Sequence, residues 1–318
     1  MTGLVTVFGG SGFVGRYVVR DLLSAGWRVR VAVRHPRESM FLKPQGGLGQ
    51  TQFLAADVTR PETVARAVAG ADAVVNLVGI LKGDFKRVQA DGATNVAQAA
   101  AEAGVMALVQ MSAIGADAES DSLYGQTKGE GEAAVRAAFP RATILRPSII
   151  FGREDGFINR FASMIAGAPF GVVPIARGGV KFQPVFVGDV AAAVVAALSD
   201  SAAAGMTYEL GGPDVMSMAQ IQHWIAAQIG HQPTFLDMPD ALMALAARLV
   251  GWLPGAPITR DQWLMLQHDN VVAPTAHSLA DLHINPTPLD VVAERWLVQY
   301  RTHGRFSPSI ISQSGLSA

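Results

Sequence analysis

Short apolar runs alternate with longer stretches of helical periodicity through the first half of the chain. The apolar runs predict strands at 4–8, 29–33, 52–55, 73–78, 107–111 and 142–145. The stretches between them predict helices at 14–25, 61–69, 90–103 and 124–139. Fully apolar strands that alternate with helices are typical of a parallel sheet covered on both faces. The pattern therefore predicts an α/β fold, a Rossmann-type doubly wound parallel sheet.

The regular alternation of strands and helices ends after Pro147, where prolines and glycines interrupt the pattern. Later elements are predicted as a strand and helix within 185–198, a strand at 207–210, and helices at 217–229, 240–253 and 289–303. We therefore predict a dinucleotide-binding domain at 1–150, to which 183–210 returns. A smaller, mostly helical C-terminal domain is predicted from 151–182 and 211–303. The Ser/Gly-rich tail 304–318 is predicted to be flexible.

Composition excludes several classes of protein. Half of the 318 residues are apolar, the formal net charge is −1 and cysteine is absent. Without a basic block we expect no nucleic-acid partner, and without cysteine there is no thiolate nucleophile or disulfide. The seven histidines show no metal-ligand spacing, so no metal is expected. We expect no transmembrane span, since no run of about 18 apolar residues occurs, and no secretory signal or presequence pattern opens the sequence.

A glycine-rich turn follows the first predicted strand. Residues 5–15 are VTVFGGSGFVG, with glycines at 9, 12 and 15. In a dinucleotide-binding turn the first glycine makes the bend, the second lets backbone N–H groups approach a pyrophosphate, and the third lets the helix pack on the strand. The helix N-terminus adds unpaired donors and about half a positive charge. The predicted contacts here are Gly9, Ser11, Gly12, Phe13, Val14 and Gly15.

The second predicted strand ends in an arginine rather than an acid. NAD-binding turns place an acidic residue about 20 positions after the glycines, where it bonds the ribose 2′-hydroxyl. Arg34 lies 19 positions after Gly15, and its guanidinium, with Arg37 nearby, suits a 2′-phosphate. We therefore predict NADPH or NADP⁺ as the cofactor. The alternative is a surface arginine at a strand end.

Further contacts are predicted at the carboxyl ends of later strands, the rim where ligands bind in open α/β sheets. Asp57 and Val58 follow the third strand, and Leu77, Val78 and Gly79 end the fourth. We assign the Asp57 carboxylate to the adenine amino group. A cap of the following helix is the alternative for Asp57.

A candidate catalytic group comprises Ser112, Tyr124 and Lys128. Ser112 ends the fifth strand, and Tyr124 and Lys128 share one helical face at i and i+4. An ammonium nearby lowers the pKa of a phenol, whose usual value is about 10. Ser112 could then orient a carbonyl while Tyr124 exchanges a proton and the cofactor a hydride. The alternative, which the residues favour over catalysis, is that Tyr124 and Lys128 contact the ribose and nicotinamide without turnover, so enzymatic activity is undecided at this point.

Together with the glycine turn, this set resembles the short-chain dehydrogenase/reductase superfamily in its extended form. The segment RPSIIFG at 146–152 strengthens the match. In that superfamily the corresponding segment lies along the nicotinamide, which implies contacts from Pro147 and Ile150. The resemblance covers about residues 1–230.

Three stretches resemble a narrower family, the NADPH-binding accessory subunit of respiratory complex I. They are GGLGQTQFL at 46–54, FGREDGFINRFASM at 151–164 and ITRD at 258–261. The resemblance implies a peripheral subunit that binds NADPH tightly, with a structural nucleotide. It implies partners in complex I at the junction of the hydrophilic and membrane arms. Since mitochondrial members carry a presequence, we expect a bacterial relative in the cytoplasm, peripheral on the cytoplasmic face of the inner membrane.

Two segments outside the dinucleotide motif allow alternative interpretations. In 151–164, Phe157, Phe161 and Met164 share one helical face, which suits either core packing or the wall of a cleft or partner surface. The segment 240–253, which ends beside Trp252, is apolar nearly all round and is either a core helix or a membrane- or partner-facing one. Trp263, Trp296 and Tyr300 are expected to be packing residues.

Two functional hypotheses follow from these features. The first is an NADP(H)-binding accessory or assembly subunit of complex I. The second is a free-standing NADP-dependent short-chain reductase or nucleotide-sugar epimerase/dehydratase-like enzyme that uses Ser112, Tyr124 and Lys128. A redox-sensing regulator is a third hypothesis, for which the sequence offers no positive feature.

Overall fold

The computed structural model describes residues 3–249, 258–302 and 304. Its strands are β1 Leu4–Phe8, β2 Arg28–Val33, β3 Thr51–Ala55, β4 Ala73–Asn76, β5 Ala107–Met111, β6 Thr143–Pro147, β7 Ile150–Phe151, β8 Val172–Ala176, β9 Lys181–Phe182, β10 Val185–Phe186, β11 Thr207–Leu210, β12 Met216–Ser217 and β13 Thr234–Met238. Its α-helices are α1 Phe13–Ser24, α2 Pro61–Val68, α3 Gly92–Glu102, α4 Leu123–Ala138, α5 Ile158–Ala166, α6 Val187–Ser199, α7 Met218–Ile229, α8 Asp240–Leu249, α9 Arg260–Met265 and α10 Leu289–Leu297.

Seven parallel strands form the main sheet, in the order β3-β2-β1-β4-β5-β6-β11. The chain starts in the middle of the sheet, moves outward through β2 and β3, and returns to build the other half from β4. Strand order therefore reverses between β1 and β4, and a crevice opens at their carboxyl ends. The predicted α/β, Rossmann-type doubly wound sheet is confirmed.

Helices cover both faces of this sheet. On one face α1 packs against α6, and on the other α2, α3 and α4 pack in sequence. Between the second set of helices and the strands lies a core of Val, Ala and Leu side chains that includes Val74, Val96 and Leu108. Strands buried on both faces need mostly apolar residues, which explains why apolar residues dominate the central strands.

The described residues form two compact units. The first contains the residues up to Ser148 together with Val187–Gly211 and Val272–Pro286, and the second contains Ile149–Phe186, Gly212–Val271 and the residues from Thr287 onward. The sequence pattern predicts that 272–286 belongs to the smaller domain. In the structure this segment pairs with β11, because the Glu209 N–H donates to the His277 carbonyl at 2.8 Å.

The second unit has its own core and three two-stranded sheets, β7 with β10, β9 with β12, and β8 with β13. Its core packs α5 and α7 with residues of α10, including Ile165, Ile221 and Trp296. Phe157, Phe161 and Met164 are partly buried against this core, so the core-packing interpretation of that face is confirmed.

Other segments differ from the sequence pattern or lie outside the described residues. A 3-10 segment, Pro36–Gln45, and a π-helical segment, Lys86–Asp91, were not predicted. In α8, Leu242 and Leu245 are exposed, whereas Ala247 packs with Trp263. Residues 250–257, which include Trp252, and residues 305–318 of the predicted tail lie outside the described residues. Within the described residues, no helix combines the length and apolarity needed to cross a bilayer.

Candidate dinucleotide-binding site

The turn that connects β1 to α1 is too tight for side chains at its first and third glycines. Gly9 has φ +78°, its N–H donates to the Ala32 carbonyl at 3.2 Å, and the Gly12 N–H donates back to the Gly9 carbonyl at 3.0 Å. A Cβ on Gly15 would lie 2.3 Å from that same carbonyl oxygen. The first and third glycines are therefore required by this tight turn and by the close packing of α1 on it.

Helix α1 begins in this crevice with its N-terminus uncapped by side chains. Gly12 is the N-cap residue and makes no side-chain cap, and no acidic residue lies in the first turn. The N–H groups of Phe13, Val14 and Gly15 are the orphan donors of this helix end, beside the half-buried Ser11. Such donors, with the positive end of the helix dipole, fit a pyrophosphate.

Arg34 and Asp57 lie beyond the carboxyl ends of β2 and β3. The Asp57 carboxylate accepts from the Thr59 N–H at 2.9 Å and from the Thr59 hydroxyl at 2.8 Å, both at Oδ1. Burial opposes ionisation, but the Thr59 hydrogen bonds and the charges of Arg60 and Arg34 together lower the pKa of Asp57. The N-cap of α2 is Arg60, so Asp57 shapes a local turn and is not the cap of that helix.

The carboxyl end of β4 is fixed to its neighbouring strands. The Leu77 N–H donates to the Phe8 carbonyl at 3.0 Å, and the Val78 N–H donates to the Asn76 side chain at 3.2 Å. Asn76 in turn donates to Gln110 at 2.9 Å. These bonds hold the backbone of 77–79 at the point where strand order reverses.

Helix α4 carries Tyr124 and Lys128. Ser122 caps its N-terminus by accepting from the Gly125 N–H at 3.2 Å. Lys128 lies one helical turn after Tyr124. Its Nζ donates to the Met111 carbonyl at 3.2 Å and lies 6.0 Å from the centroid of the Tyr124 ring. A Cβ on Gly79 would lie only 3.2 Å from that Nζ. The structure thus brings together the ends of β4 and β5 and the face of α4 that carries the Tyr-x-x-x-Lys pair.

Lys128 is buried, with a side chain only 6% exposed. Burial lowers the pKa of Lys128 to about 8, while the charge of Glu132 acts in the opposite direction. The Glu132 carboxylate also accepts two hydrogen bonds from the Arg146 guanidinium, at 2.8 and 2.6 Å. A lysine poised in this way can hold or release a proton near neutral pH.

Ser112 directly follows Met111, the residue whose carbonyl holds Lys128. Its N–H donates to the Leu145 carbonyl at 2.7 Å, and the residue is 4% exposed. The buried Ser112 hydroxyl makes no hydrogen bond to any described residue. Since buried polar atoms are nearly always satisfied, this hydroxyl fits a site that a ligand completes.

The remaining predicted residues occupy different places. Val58 is buried, and its carbonyl accepts from Asn95 at 2.8 Å. Pro147 ends β6, and its carbonyl accepts from the Ile114 N–H at 3.1 Å. Ile150 belongs to the second compact unit, where it pairs with Val185 in the β7–β10 sheet.

Two residues beside Tyr124 were missed by the sequence analysis. Gln89 donates to the Thr127 hydroxyl at 3.0 Å, and Phe85 packs edge-to-face on the Tyr124 ring with centroids 6.3 Å apart. Both lie at the π-helical segment, for which the sequence carries no distinctive periodicity. Thr127 lies between Tyr124 and Lys128, and a polar side chain at that position of the helix was the one feature of the sequence that indicated a hydrogen-bond partner such as Gln89.

Comparisons with known proteins agree with this geometry. The family model described as the NAD dependent epimerase/dehydratase family matches residues 5–211. The chain is 36% identical over 321 residues to NADH dehydrogenase (ubiquinone) 1 alpha subcomplex subunit 9, mitochondrial, of Mus musculus, covering 98% of this chain and 84% of that protein. The chain belongs to the NAD dependent epimerase/dehydratase family and shares the family of this mouse subunit. The resemblance found in the sequence is confirmed.

Two further similar proteins carry different names. A ceramide reductase of Caulobacter vibrioides is 29% identical over 90% of this chain and 86% of its own length. The structure of an NADPH-dependent quinone oxidoreductase of Escherichia coli, complexed with NADPH, superposes with a TM-score of 0.74 at 23% identity, covering 92% of this chain and 99% of that one. The latter shows the fold alone. Family membership supports a nicotinamide dinucleotide as the ligand of this chain.

Proposed function

We propose that this chain is an NADP(H)-binding accessory subunit of a complex I-type NADH:quinone oxidoreductase, in which the nucleotide is structural. The observation that carries the proposal is the 36% identity to a mitochondrial complex I subunit over 98% of the chain. Because that match includes residues of both compact units, it extends well beyond the dinucleotide motif.

NADP(H) is proposed over NAD(H) because Arg34, not an acid, follows β2. In this assignment the turn from Gly9 to Gly15 holds the pyrophosphate and Arg34 the 2′-phosphate. Asp57 and Val58 flank the adenine, Leu77 to Gly79 line the nucleotide, and Tyr124 and Lys128 hold the ribose. Pro147 and Ile150 are assigned to the nicotinamide. When bound, a nicotinamide supplies hydride chemistry; an accessory role requires only that it be held.

We further propose that the subunit binds beside the junction of the hydrophilic and membrane arms, on the cytoplasmic face of a bacterial inner membrane. The exposed side chains of Leu242 and Leu245 on α8 support an apolar contact there, with the membrane surface or with neighbouring subunits. An apolar helix face on the surface is otherwise costly to leave in water.

The test is to purify the tagged chain from the membranes of its own organism in mild detergent. We expect it to migrate with NADH:quinone oxidoreductase activity on a native gel. Denaturing the purified protein should release NADP(H) in close to equimolar amount, identified by chromatography. Recovery of the chain only as a soluble protein apart from the respiratory complex would overturn the accessory role, and release of NAD(H) would overturn the cofactor assignment.

A free-standing reductase is the second candidate, favoured by one specific observation. The Ser112 hydroxyl is buried and makes no hydrogen bond to any described residue, and the preceding residue, Met111, accepts from a lysine whose pKa is lowered. In such an enzyme Ser112 would orient a substrate carbonyl, Tyr124 would donate the proton, and Lys128 would lower the pKa of Tyr124. The Caulobacter relative named as a ceramide reductase gives this candidate a class of compound to test, lipids of the ceramide kind.

To separate the two candidates, NADPH oxidation is followed with a panel of ketones, quinones and long-chain carbonyl compounds. A reductase should lose at least about 100-fold in kcat in Tyr124→Phe while its affinity for NADPH changes little. Tyr208→Phe, in β11, is the matched control and should retain activity. Absence of turnover in the unmodified protein across the panel counts against the reductase and leaves the accessory role standing.

A further inference from the structure

One arginine of α1 lies beside the glycine turn without a role in the assignments above. We propose that Arg16 is a second cationic contact for the 2′-phosphate, together with Arg34, and that it helps to select NADP(H) over NAD(H). This inference rests on the proposed function, since it requires a dinucleotide at the glycine turn.

The backbone places Arg16 at the phosphate end of α1. Arg16 directly follows Gly15, and its N–H donates to the carbonyl of the N-cap residue Gly12 at 3.1 Å. It is therefore in the first turn of the helix, where anions bind at uncapped N-termini. Its side chain is half-buried.

The face of α1 that carries Arg16 is turned toward β2. Residues 16 and 19 lie on one side of the helix, since they are separated by three positions. A Cβ on Gly10 would lie 3.1 Å from Val31 of β2 and 3.2 Å from Val19 of α1, so these two side chains converge on one point. An arginine one turn before Val19 is thus on the side of the helix nearest β2, the strand that Arg34 follows.

The guanidinium of Arg16 is held in this direction by an aromatic ring. Its central carbon lies 5.2 Å from the centroid of Phe41, within the range of a cation–π contact. Phe41 belongs to the 3-10 segment Pro36–Gln45, which starts two residues after Arg34. The ring therefore directs the Arg16 head group toward the segment that continues from the proposed 2′-phosphate contact.

The charges of this region favour a dianion. Arg34 is close enough to Asp57 for its charge to lower the pKa of that carboxylate, and Oδ1 of Asp57 is already bonded to Thr59. Glu38 is the acid in the first turn of the 3-10 segment and is exposed. Two guanidinium groups from different elements can share the oxygens of one phosphate, which carries up to about two negative charges.

A contact to the 2′-phosphate and a contact to the pyrophosphate predict different effects of Arg16 on NAD(H) binding. A ribose 2′-hydroxyl offers no charge for Arg16 to neutralise, so NAD(H) binding should not depend on it. If Arg16 instead contacted the pyrophosphate, which both nucleotides share, both affinities would fall together.

The experiment measures Kd for NADPH and for NADH by titration calorimetry in the full-length protein and its variants. Loss of one charge-assisted contact predicts about 10- to 100-fold weaker NADPH binding in Arg16→Gln, with NADH binding changed by less than about twofold. Phe41→Leu removes the ring under the guanidinium and should show a smaller loss, of about 2- to 5-fold, for NADPH alone. The matched control is Arg20→Gln, one turn further along α1, where an exposed arginine is paired with Asp21 at 2.6 Å; it should bind both nucleotides as the unmodified protein does.

Circular dichroism and thermal melting confirm that each variant is folded, and Phe41→Leu keeps the test open should Arg16→Gln fail to fold. Equal losses for NADPH and NADH, or no loss for either in Arg16→Gln and in Phe41→Leu, would overturn the role of Arg16. An unmodified protein that binds NADH as tightly as NADPH would instead overturn the NADP(H) assignment itself. If the unmodified protein prefers NADPH and Arg16→Gln keeps that preference, the role of Arg16 is overturned and the NADP(H) assignment stands.

Discussion

At the scale of single residues, Lys128 has the largest electrostatic consequence in the site. Its ammonium is buried and its pKa is lowered to about 8 by desolvation. One hydrogen bond, to the Met111 carbonyl, holds it in place. A buried ammonium costs stability unless it loses its proton or gains further polar partners, and the ribose hydroxyls assigned to Lys128 are such partners.

This burial predicts a specific dependence of stability on pH. The amine has a pKa of 10.5 when unfolded and about 8 when folded. Below pH 8 it is charged in both states, so the cost of burying the charge is fully present. Between pH 8 and 10.5 the unfolded chain binds more protons, so the free energy of unfolding rises with pH, by about 3 kcal/mol from this group.

Replacing Lys128 by methionine should remove that rise. The difference in unfolding free energy between the unmodified protein and Lys128→Met, measured by urea denaturation without nucleotide, should increase in favour of the unmodified protein from pH 8 to 10.5. It should be flat between pH 6 and 7.5. The exposed Lys82→Met is the control and should show no such increase. A constant difference for Lys128→Met across the whole range would contradict the lowered pKa.

At the scale of elements, one ion pair joins α4 to the sheet. The Arg146 guanidinium of β6 donates two hydrogen bonds to Glu132 of α4, whose side chain is 6% exposed against 27% for Arg146. Glu209 of β11 lies 3.8 Å from the same guanidinium. The pair therefore fixes the helix that positions Tyr124 and Lys128, at one turn's distance from the lysine.

The unequal burial of the pair predicts unequal costs of removing each partner. Arg146→Met leaves a buried carboxylate without its cation and should cost about 3 kcal/mol. Glu132→Gln should cost about 1 to 2 kcal/mol, because the amide still accepts a hydrogen bond and Arg146 retains Glu209 and water. Urea denaturation of both single variants and of the double variant measures these values and their coupling. Equal losses in the two single variants would contradict the unequal costs, and losses that simply add in the double variant would show that the two side chains act independently.

How far the sequence predicts this fold depends on the kind of element. The central strands and their helices were located to within a few residues, because a strand buried on both faces is predominantly apolar, as β1 and β5 are apart from Thr6 and Gln110. The two-stranded sheet of β8 and β13 was missed, since Pro174 interrupts one strand and the other is half exposed. Such short strands depend on tertiary pairing rather than on local preference.

The candidate site was predictable where its chemistry is local in sequence. The glycine turn and the Tyr124–Lys128 spacing each arise from a few adjacent residues. The bond from Gln89 to Thr127 and the Arg16–Phe41 contact join positions 38 and 25 apart. No periodicity specifies such pairs; only the fold brings them together.

At the scale of the whole molecule, the nucleotide and the protein should stabilise each other. Ligand at 100 times its Kd adds about 2.7 kcal/mol to the folded state. For a chain of 318 residues this corresponds to a rise in melting temperature of about 4 °C. NADPH should therefore raise the melting temperature of the purified, nucleotide-free protein by that amount.

The same measurement with NADH tests whether the 2′-phosphate is what the molecule recognises. At the same concentration, a nucleotide bound about 100-fold more weakly adds only about 0.4 kcal/mol, or less than 1 °C. Adenosine 2′,5′-bisphosphate carries the 2′-phosphate without the nicotinamide, so it should stabilise the protein more than ADP does if Arg34 and its neighbours supply the binding energy. Equal shifts with NADPH and NADH would mean that the glycine turn and the N–H groups at the start of α1, which are assigned to the pyrophosphate of both nucleotides, account for binding. The arginine after β2 would then lie at a strand end without a ligand.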